Sequence, residues 1–363
     1  MLGLVTLRKA LLKFARVSAR VGVSAFAFAI FSAFVLFVTT PFALSAVAAG
    51  PPLPKSQNAD PQAEALRWLY QSQQAAQKLD YAGTFVYQQG AQVRTSRITR
   101  LRTAKSVIEK IELLDGALQE TIRNGEEIIH YLPSERRIIV EHRGHERSFP
   151  DMRFIQPQAL TRYYSARPLG TDRVAGRAAR GIALEPRDAL RYGYRFWSDQ
   201  SSGLLLRVQT LSEKGEVIEQ IAFTQLKLGK VRPSQVKSSH ANTRDWRIEN
   251  SPMTGYGPSG WKAGWLPAGF QQIRTVKRVL GRAGSPGDTR EVIQLVFSDG
   301  LAGVSVFIEP WSPRHEGLPL QQGSLNMLGK RHGKFWLTIV GEIPLVSIRQ
   351  IAESLEFAGF DPN

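Results

Sequence analysis

The densest group of chemically versatile side chains in this 363-residue sequence is Glu141-His142-Arg143-Gly144-His145-Glu146, with two imidazoles and two carboxylates. Imidazole and carboxylate groups are frequent metal ligands, so the group could form a metal site. On an extended strand, residues three apart point to opposite faces, and His142 and His145 converge only if a turn at Gly144 folds the chain back. We therefore expect an exposed charged hairpin here, and neither a metal nor a cofactor.

A second pattern bears on phosphate binding. Residues 255–260, from Gly255 to Gly260, match the G-x-G-x-x-G spacing of dinucleotide-binding loops. Such a loop needs a strand before it and a helix opening inside it, and Pro258 removes one of its backbone N–H donors. We interpret the segment as a linker. The sequence also lacks a G-x-S-x-G nucleophile elbow, a P-loop and an H-E-x-x-H motif. These patterns favour a binding protein over an enzyme.

Aromatic and basic side chains along the first predicted helix and sheet suggest what is bound. Aromatic residues ordinarily fill the core. A sheet that curls without closing, however, leaves an apolar groove on its concave face. An acyl chain buried there would gain about 0.8 kcal/mol per CH₂, or roughly 10 kcal/mol for a dozen methylenes before ordering costs. Strand alternation places Arg97 opposite three other arginines that could hold phosphates at the rim. The candidate lipid-binding residues are Trp68, Phe85, Tyr87, Tyr131, Arg94, Arg100 and Arg102.

The first fifty residues predict export. Five basic residues and no acid lie between Arg8 and Arg20, and an uncharged apolar run covers residues 21–38. Small residues in A-x-A spacing follow at Ala46 and Ala48. This is the architecture of a secretory signal peptide, and we predict that residues 1–48 are removed. An uncleaved membrane anchor is the alternative, because the run is just long enough to span a bilayer.

Composition narrows the choice of partners. The chain has 47 basic and 31 acidic residues, and removal of the signal peptide leaves 42 basic residues. In an exported protein, this charge favours anionic lipid, lipopolysaccharide or an acidic protein segment over nucleic acid. There is no cysteine, so thiol catalysis and Cys-based zinc sites are excluded.

The elements that must position these residues form two groups. Residues 49–60 read as a linker, and Asp60 followed by Pro61 predicts the start of a helix. From Tyr81 the period becomes alternating, with turn dipeptides such as Asp115-Gly116 and Asn124-Gly125, which predicts an antiparallel meander. A second run of strands follows, and so many strands with so few helices should curl into an unclosed barrel. We predict this large domain over residues 61–228.

A change of composition marks a domain boundary. Residues 229–260 lose periodicity and gather Ser, Asn, Pro and Gly, which is typical of a linker. Residues 261–363 read as a smaller α+β domain. Its four predicted strands cover residues 271–280, 291–297, 303–309 and 334–340, and a final helix begins near Pro344. The predicted fold class is therefore α+β, mainly antiparallel β.

Several sequence blocks are familiar in this order. They are DYAGTFVY (80–87), RVAGR (173–177), EPRD (185–188), RYGYRFW (191–197), LPAGF (266–270), FSDGLAGVSVFIE (297–309) and VGEIP (340–344). Together they resemble the MucB/RseB family of periplasmic stress regulators along essentially the whole mature chain. The resemblance implies a large domain like the lipoprotein carriers LolA and LolB, with an unclosed β-barrel, and a small α+β domain.

The resemblance also implies a function. Members of this family bind the periplasmic part of a single-span anti-sigma factor, shield it from the first protease, and release it in response to a lipid or lipopolysaccharide signal. We therefore expect a periplasmic negative regulator of sigma-E-type signalling that acts by occlusion. The small domain and the boundary near residues 244–260 would carry most of the contact. The candidate partner-binding residues are Arg244, Trp246, Tyr256 and Trp261.

Two alternatives remain open at this point. A lipid or lipoprotein carrier of LolA type would bind acylated cargo without an anti-sigma partner. An envelope hydrolase would need Ser, His and acidic side chains that converge in space, since no local motif supplies them. The residues also leave the oligomeric state open, with a homo-oligomer among the alternatives.

Overall fold

The computed structural model describes residues 60–142, 160–240, 242–252, 254–255, 259–280, 290–313, 315, 317 and 319–359. The predicted signal peptide, most of the predicted first linker, most of the Glu141–Glu146 group and Tyr256 lie outside these residues. No helix in the described ranges is both long and apolar enough to cross a membrane. Nor do His, Asp and Glu side chains gather in threes around a metal position in that part of the chain.

One helix and a large twelve-stranded sheet make up the first part of the protein. Helix α1 spans Pro61–Lys78, and the Asp60 side chain accepts a hydrogen bond from the Gln62 N–H, which confirms the predicted helix start. The strands are β1 Tyr81–Gln89, β2 Gln92–Arg102, β3 Val107–Leu113, β4 Glu120–Asn124, β5 Glu127–Leu132, β6 Arg137–His142, β7 Tyr164–Val174, β8 Arg177–Pro186, β9 Gly193–Asp199, β10 Leu205–Leu211, β11 Val217–Leu228 and β12 Arg247–Pro252.

The large sheet is unclosed, as predicted. Its strand order is β12-β6-β5-β4-β3-β2-β1-β11-β10-β9-β8-β7, so β12 and β7 lie at its two ends. All neighbours pair antiparallel except β12 and β6. Helix α1 packs on one face, where Leu66 and Leu69 meet Ile182, Tyr194 and Phe196 in a buried cluster. Burial of this apolar stripe holds the helix on the sheet.

The alternating pattern of the sequence predicts strands over 81–88, 93–102, 107–114, 126–132, 136–141, 174–184, 192–198, 204–211 and 216–227. Three strands of the sheet were missed, each for a physical reason. Strand β7 is an edge strand that contains Pro168 and several charges, and such a strand shows no apolar alternation. Strand β12 lies within the predicted linker 229–260, and its one large apolar residue, Ile248, is exposed. Strand β4 follows a six-residue loop at Asp115-Gly116, where a two-residue turn was expected. The Asn124-Gly125 turn is confirmed, since Asn124 pairs with Glu127.

The second part of the protein has a seven-stranded sheet, a two-stranded sheet and one helix. The strands are β13 Thr254–Gly255, β14 Trp261–Ala263, β15 Gln271–Leu280, β16 Arg290–Ser298, β17 Gly303–Pro310, β18 Leu320–Gln322, β19 Leu325–His332, β20 Phe335–Gly341 and β21 Leu355–Phe357; helix α2 spans Leu345–Ser354. The small sheet has the order β13-β15-β16-β17-β20-β19-β18, and β14 pairs with β21. Ile348 and Ile351 of α2 are fully buried against this sheet. The expected α+β class is confirmed.

Candidate functional site: the domain junction and a cavity beneath helix α1

A buried arginine links the two parts of the protein. Arg191 lies between β8 and β9, and its side chain is completely inaccessible to solvent. Its Nε donates to Asp188 Oδ1 at 3.0 Å on its own domain, its Nη1 donates to Asp299 Oδ2 at 2.8 Å, and its Nη2 donates to the Ala268 carbonyl at 2.7 Å. We call Arg191, Asp188, Asp299 and Ala268 the Arg191 cluster. It ties the large sheet to the loops of the small domain.

Aromatic rings enclose the guanidinium. Its Cζ lies 4.9 Å from the ring centroid of Tyr163, 5.6 Å from that of Tyr164 and 5.8 Å from that of Phe270. Burial disfavours the charged form, but the hydrogen bond to Asp188 and the charge of Asp299 more than offset it. The pKa of Arg191 is therefore raised above its ordinary value. Arg191 stays charged in a place that water cannot reach.

Backbone geometry around the cluster is equally tight. Gly269 has φ +90°, and a Cβ there would lie 2.3 Å from Tyr163 Cε2, so only glycine fits. Asp299 Oδ1 accepts hydrogen bonds from the backbone N–H groups of Leu301 and Ala302, each at 2.9 Å. These bonds orient the carboxylate towards Arg191.

A second buried cluster at the same junction carries a carboxylate. Glu219 of β11 accepts a hydrogen bond from the Ser324 hydroxyl of the small domain, and Tyr87 of β1 lies beside it. Burial raises the pKa of the Glu219 carboxyl above its ordinary value. Burial and the nearby charges of Glu219 and Glu342 also raise the pKa of Tyr87. We call Glu219, Ser324 and Tyr87 the Glu219 cluster.

Neutral hydrogen bonds complete the junction. Asn326 Nδ2 donates to Tyr192 Oη and to the Ile343 carbonyl, both at 2.8 Å. The Ser347 hydroxyl donates to the Leu190 carbonyl at 2.8 Å. Burial raises the pKa of Tyr192 to about 12. The sequence blocks EPRD, RYGYRFW, LPAGF, FSDG and VGEIP thus meet in space. Sequence reasoning missed that these blocks form one interface. An arginine set among aromatic residues at a strand start was the available signal.

A cavity of about 150 Å³ lies between α1 and strands β7 and β8. It is lined by Glu64, Ala65, Trp68, Pro168, Gly170, Thr171, Arg180 and Ile182. Trp68 Nε1 is buried without a hydrogen-bond partner. The Arg180 guanidinium lies 5.0 Å from the Trp68 ring and donates to Glu64 Oε1 at 3.1 Å. An apolar cavity of this size holds a group such as benzene, so the end of an acyl chain fits and a dozen methylenes do not.

The other predicted lipid-binding residues do not converge on this cavity. Phe85 is buried against Phe223, with ring centroids 6.1 Å apart, and Tyr87 lies in the Glu219 cluster. Arg94, Arg100 and Arg102 do share the face of Tyr81 and Phe85, as alternation predicted. Arg100, however, is buried in an ion pair with Glu109, and Arg102 is exposed. The described residues therefore place Trp68 alone of this set at the cavity.

The predicted partner-binding residues lie in three environments. The His240 ring lies between those of Trp246 and Tyr131 in tilted contacts, with centroid distances of 5.3 and 5.9 Å. Lys110 Nζ, 2.9 Å from Glu120 and 2.6 Å from Ser239 Oγ, anchors the same segment to the large sheet. Arg244 is exposed. Trp261 is only 3% exposed and belongs to the small-domain core.

Sequence profiles of two domain families match this chain in order. The MucB/RseB N-terminal domain matches residues 64–244, and the MucB/RseB C-terminal domain matches residues 256–356. The chain belongs to the MucB/RseB family. The first match covers most of the large sheet and the second covers most of the small domain.

Relatives in this family are regulators of sigma factors. The chain is 31% identical to the sigma factor AlgU regulatory protein MucB of Pseudomonas aeruginosa over 299 residues, 81% of this chain and 91% of the relative. It is 26% identical to the sigma-E factor regulatory protein RseB of Escherichia coli K12 over 317 residues, 87% of this chain and 97% of the relative.

Solved MucB structures share the fold. A crystal structure of MucB in complex with MucA(peri) aligns with a TM-score of 0.63 at 29% identity, covering 82% of this chain and all of that one. The MucA/MucB complex of Pseudomonas aeruginosa aligns with a TM-score of 0.64 at 28% identity, covering 82% of this chain and all of that one. These relatives are regulatory binding proteins, and none carries the name of an enzyme.

Proposed function

We propose that this protein is a periplasmic negative regulator of a sigma-E-type envelope stress response. It binds the periplasmic part of a membrane-spanning anti-sigma factor and shields that segment from the first protease. The observation that carries the proposal is the match to both MucB/RseB domains, together with the fit to MucB crystallised with the periplasmic part of MucA. The export signal in residues 1–48 supports the compartment.

The junction supports binding by a fixed pair of domains. With Arg191, Glu219 and Asn326 buried between the two parts, the surfaces of both domains are presented in one arrangement. A preorganised surface loses less entropy when it binds a flexible segment. Occlusion needs no catalytic group, and a bound extended segment is withheld from a protease simply because it is covered.

The cavity beneath α1 supports a lipid-responsive step. Its lining combines apolar side chains with the Arg180–Glu64 pair, Thr171 and the Trp68 indole N–H, which has no hydrogen-bond partner among the described residues. The end of an acyl chain would fill the apolar part, and an ester or carboxylate oxygen would accept from Trp68. If the anti-sigma segment favours the closed junction described here and lipid favours an open one, each ligand weakens the binding of the other, and a coupling of about 1–3 kcal/mol gives 5- to 150-fold release.

Calorimetry with the mature chain tests this proposal. The periplasmic segment of the cognate anti-sigma factor is titrated with and without lipopolysaccharide. We expect micromolar or tighter binding that weakens at least fivefold with lipid. If lipopolysaccharide does not change the affinity for the segment, the proposed regulator stands and the proposed lipid response is wrong. No binding of the segment, with acyl-chain binding intact, would replace the regulator with a lipid carrier of LolA type.

A matched pair of variants assigns the lipid response to the cavity. Trp68→Ala removes the cavity wall, whereas Tyr70→Ala removes an exposed ring on the same helix. We expect lipid release to be lost in Trp68→Ala and kept in Tyr70→Ala, with segment binding in the absence of lipid unchanged in both. Equal lipid response in the two variants would place the lipid elsewhere.

A further inference from the structure

The end of the β19–β20 hairpin carries two exposed cations of the small domain. The strands are joined at Gly333, which has φ +57°, and His332 pairs with Phe335 across the turn. Arg331 and Lys334 are exposed. Within the part of the chain that the structure describes, neither has an ion-pair partner; the Arg331 Nε donates to the Gly333 carbonyl at 3.0 Å.

Aromatic rings flank one side of this hairpin end. Trp261 forms a buried base, with its ring centroid 5.2 Å from His332, 5.3 Å from Phe335 and 5.1 Å from Phe357. The apolar side chain of Phe357 is 41% exposed to solvent. Trp261 itself is covered, so the rings packed on it, and not Trp261, form the exposed side.

A different aromatic ring flanks the other side. Arg331 pairs with Trp336 in the strand register, so its side chain leaves the face opposite His332 and Phe335. The Arg331 Cζ lies 3.9 Å from the centroid of Trp311, which is 36% exposed. The backbone N–H of Trp311 donates to the backbone carbonyl of Lys334 at 2.9 Å, so Trp311 is held beside the turn.

Two carboxylates lie near this surface in the strand register, and neither is exposed on it. Glu309 pairs with Trp336 on the face of Arg331, but it is only 6% exposed and its Oε1 lies 3.6 Å from His315 Nε2. Glu356 pairs with Lys262 on the two-stranded sheet, and Phe357 pairs with Trp261. Because neighbouring residues of a strand face opposite sides, Glu356 and Lys262 lie behind the face that carries Phe357. The exposed side of the hairpin end therefore combines cations with aromatic rings.

We propose that the hairpin end, formed by residues 331–335 with Trp311 and Phe357, docks on the surface of an anionic phospholipid membrane. Aromatic rings favour the interface between headgroups and acyl chains, and lysine and arginine are attracted to anionic lipid. The rings lie on both sides of the hairpin. A folded protein partner would pack against one side, whereas a fluid interface accommodates a hairpin that enters edge-on. This inference concerns a surface remote from the cavity and does not depend on the lipid response proposed above.

Vesicle co-sedimentation tests the inference. The mature chain is mixed with vesicles of phosphatidylcholine alone or with phosphatidylglycerol added. We expect binding to the anionic vesicles only, with an affinity that falls as salt rises. Arg331→Ser with Lys334→Ser should weaken it about 25-fold, at roughly fivefold for each charge, and make the salt dependence shallower. Phe357→Ser should weaken binding without changing the salt dependence.

A charge-matched control separates the surface from the net charge. Lys214→Ser with Lys227→Ser removes two exposed lysines from the large domain. Equal losses in the two double variants would show that general charge, not the hairpin end, attracts the vesicles, and would overturn the inference. Calorimetry with the anti-sigma segment is run on the same variants. If the hairpin variant loses segment binding but keeps vesicle binding, the surface belongs to the protein partner and the inference is also wrong. Circular dichroism melts confirm that each variant folds.

Discussion

The Arg191 and Glu219 clusters lie at the same junction but surround a buried ionisable group with different partners. Arg191 is met by two carboxylates and a carbonyl, and three aromatic rings surround it. Glu219 is met by the hydroxyl of Ser324, with no described cation against it. A buried charge with partners is stable in the ionised form, whereas one with neutral partners favours the protonated form. Arg191 therefore stays charged at any ordinary pH, whereas burial raises the pKa of both the Asp299 and the Glu219 carboxyls above their ordinary values.

Removal of Arg191 should have the largest effect. Arg191→Ala leaves the Asp299 carboxylate buried without its cation. Breaking a buried ion pair in this way costs about 3–5 kcal/mol of unfolding free energy. We expect a large fall in the urea midpoint and new protease cleavage near residues 253–260. Arg187→Ala is the control, since that side chain is exposed and should change stability by no more than about 0.5 kcal/mol. Similar losses of stability in the two variants would show that Arg191 does not hold the two domains together.

The two carboxylates of the Arg191 cluster should differ. Asp299 is 1% exposed and Asp188 is 30% exposed, so solvent can replace Asp188 more readily. Asp299→Asn should cost about 2–3 kcal/mol and Asp188→Asn about 1 kcal/mol, measured by thermal unfolding. The reverse order would mean that the contact within the large domain, not the contact across the junction, holds the arginine.

Glu219→Gln should have a smaller effect, with the opposite sign at neutral pH. The folded-state pKa of Glu219 is raised, so its ionised form opposes folding above that pKa, and the penalty disappears as pH falls below the unfolded value of about 4.3. The variant should therefore be about 1 kcal/mol more stable than the parent at pH 7.5, with the difference vanishing towards pH 4. Urea titrations across this range measure it, and Glu213→Gln, at an exposed site, should show no such trend. A variant that is less stable at pH 7.5 would contradict the contrast with Arg191.

Ser347→Ala measures what a hydrogen bond between uncharged groups contributes to the stability of the junction. It removes one hydrogen bond to the Leu190 carbonyl across the junction and should cost about 1 kcal/mol, independent of pH. Thermal unfolding at pH 5 and pH 8 checks it. A pH-dependent cost would show that the junction polar groups act as one network rather than as separate clusters.

Local signals in the sequence predicted local structure well. The helix start at Asp60 and strand β15 over 271–280 follow from a capping residue and a clear alternation. Edge strands β7 and β12 were missed because their polar side chains and Pro168 carry no apolar period. Strand β19, which contains Gly329 and three basic residues, was missed for the same reason.

The candidate site was less predictable, because its contacts join residues far apart in the chain. Arg191 and Asp299 are 108 positions apart, and no local pattern pairs them. Arg100 looked like a free cation on the rim, and only the strand register shows Glu109 directly opposite. Trp68, one of the aromatic residues predicted to line a groove, does line the cavity, and its contact with lipid stays a prediction. Its buried, unpaired N–H could not be guessed.

The addition of β12 to the large sheet has a consequence for how the two domains could separate. Strand β12 ends at Pro252 in the large sheet, and β13 begins at Thr254 in the small sheet, so one residue separates the two sheets along the chain. A tether this short keeps the small domain at an effective local concentration on the order of millimolar or above. Opening of the junction is thus a swing about a fixed point rather than a dissociation, and individually weak junction contacts can still re-form quickly.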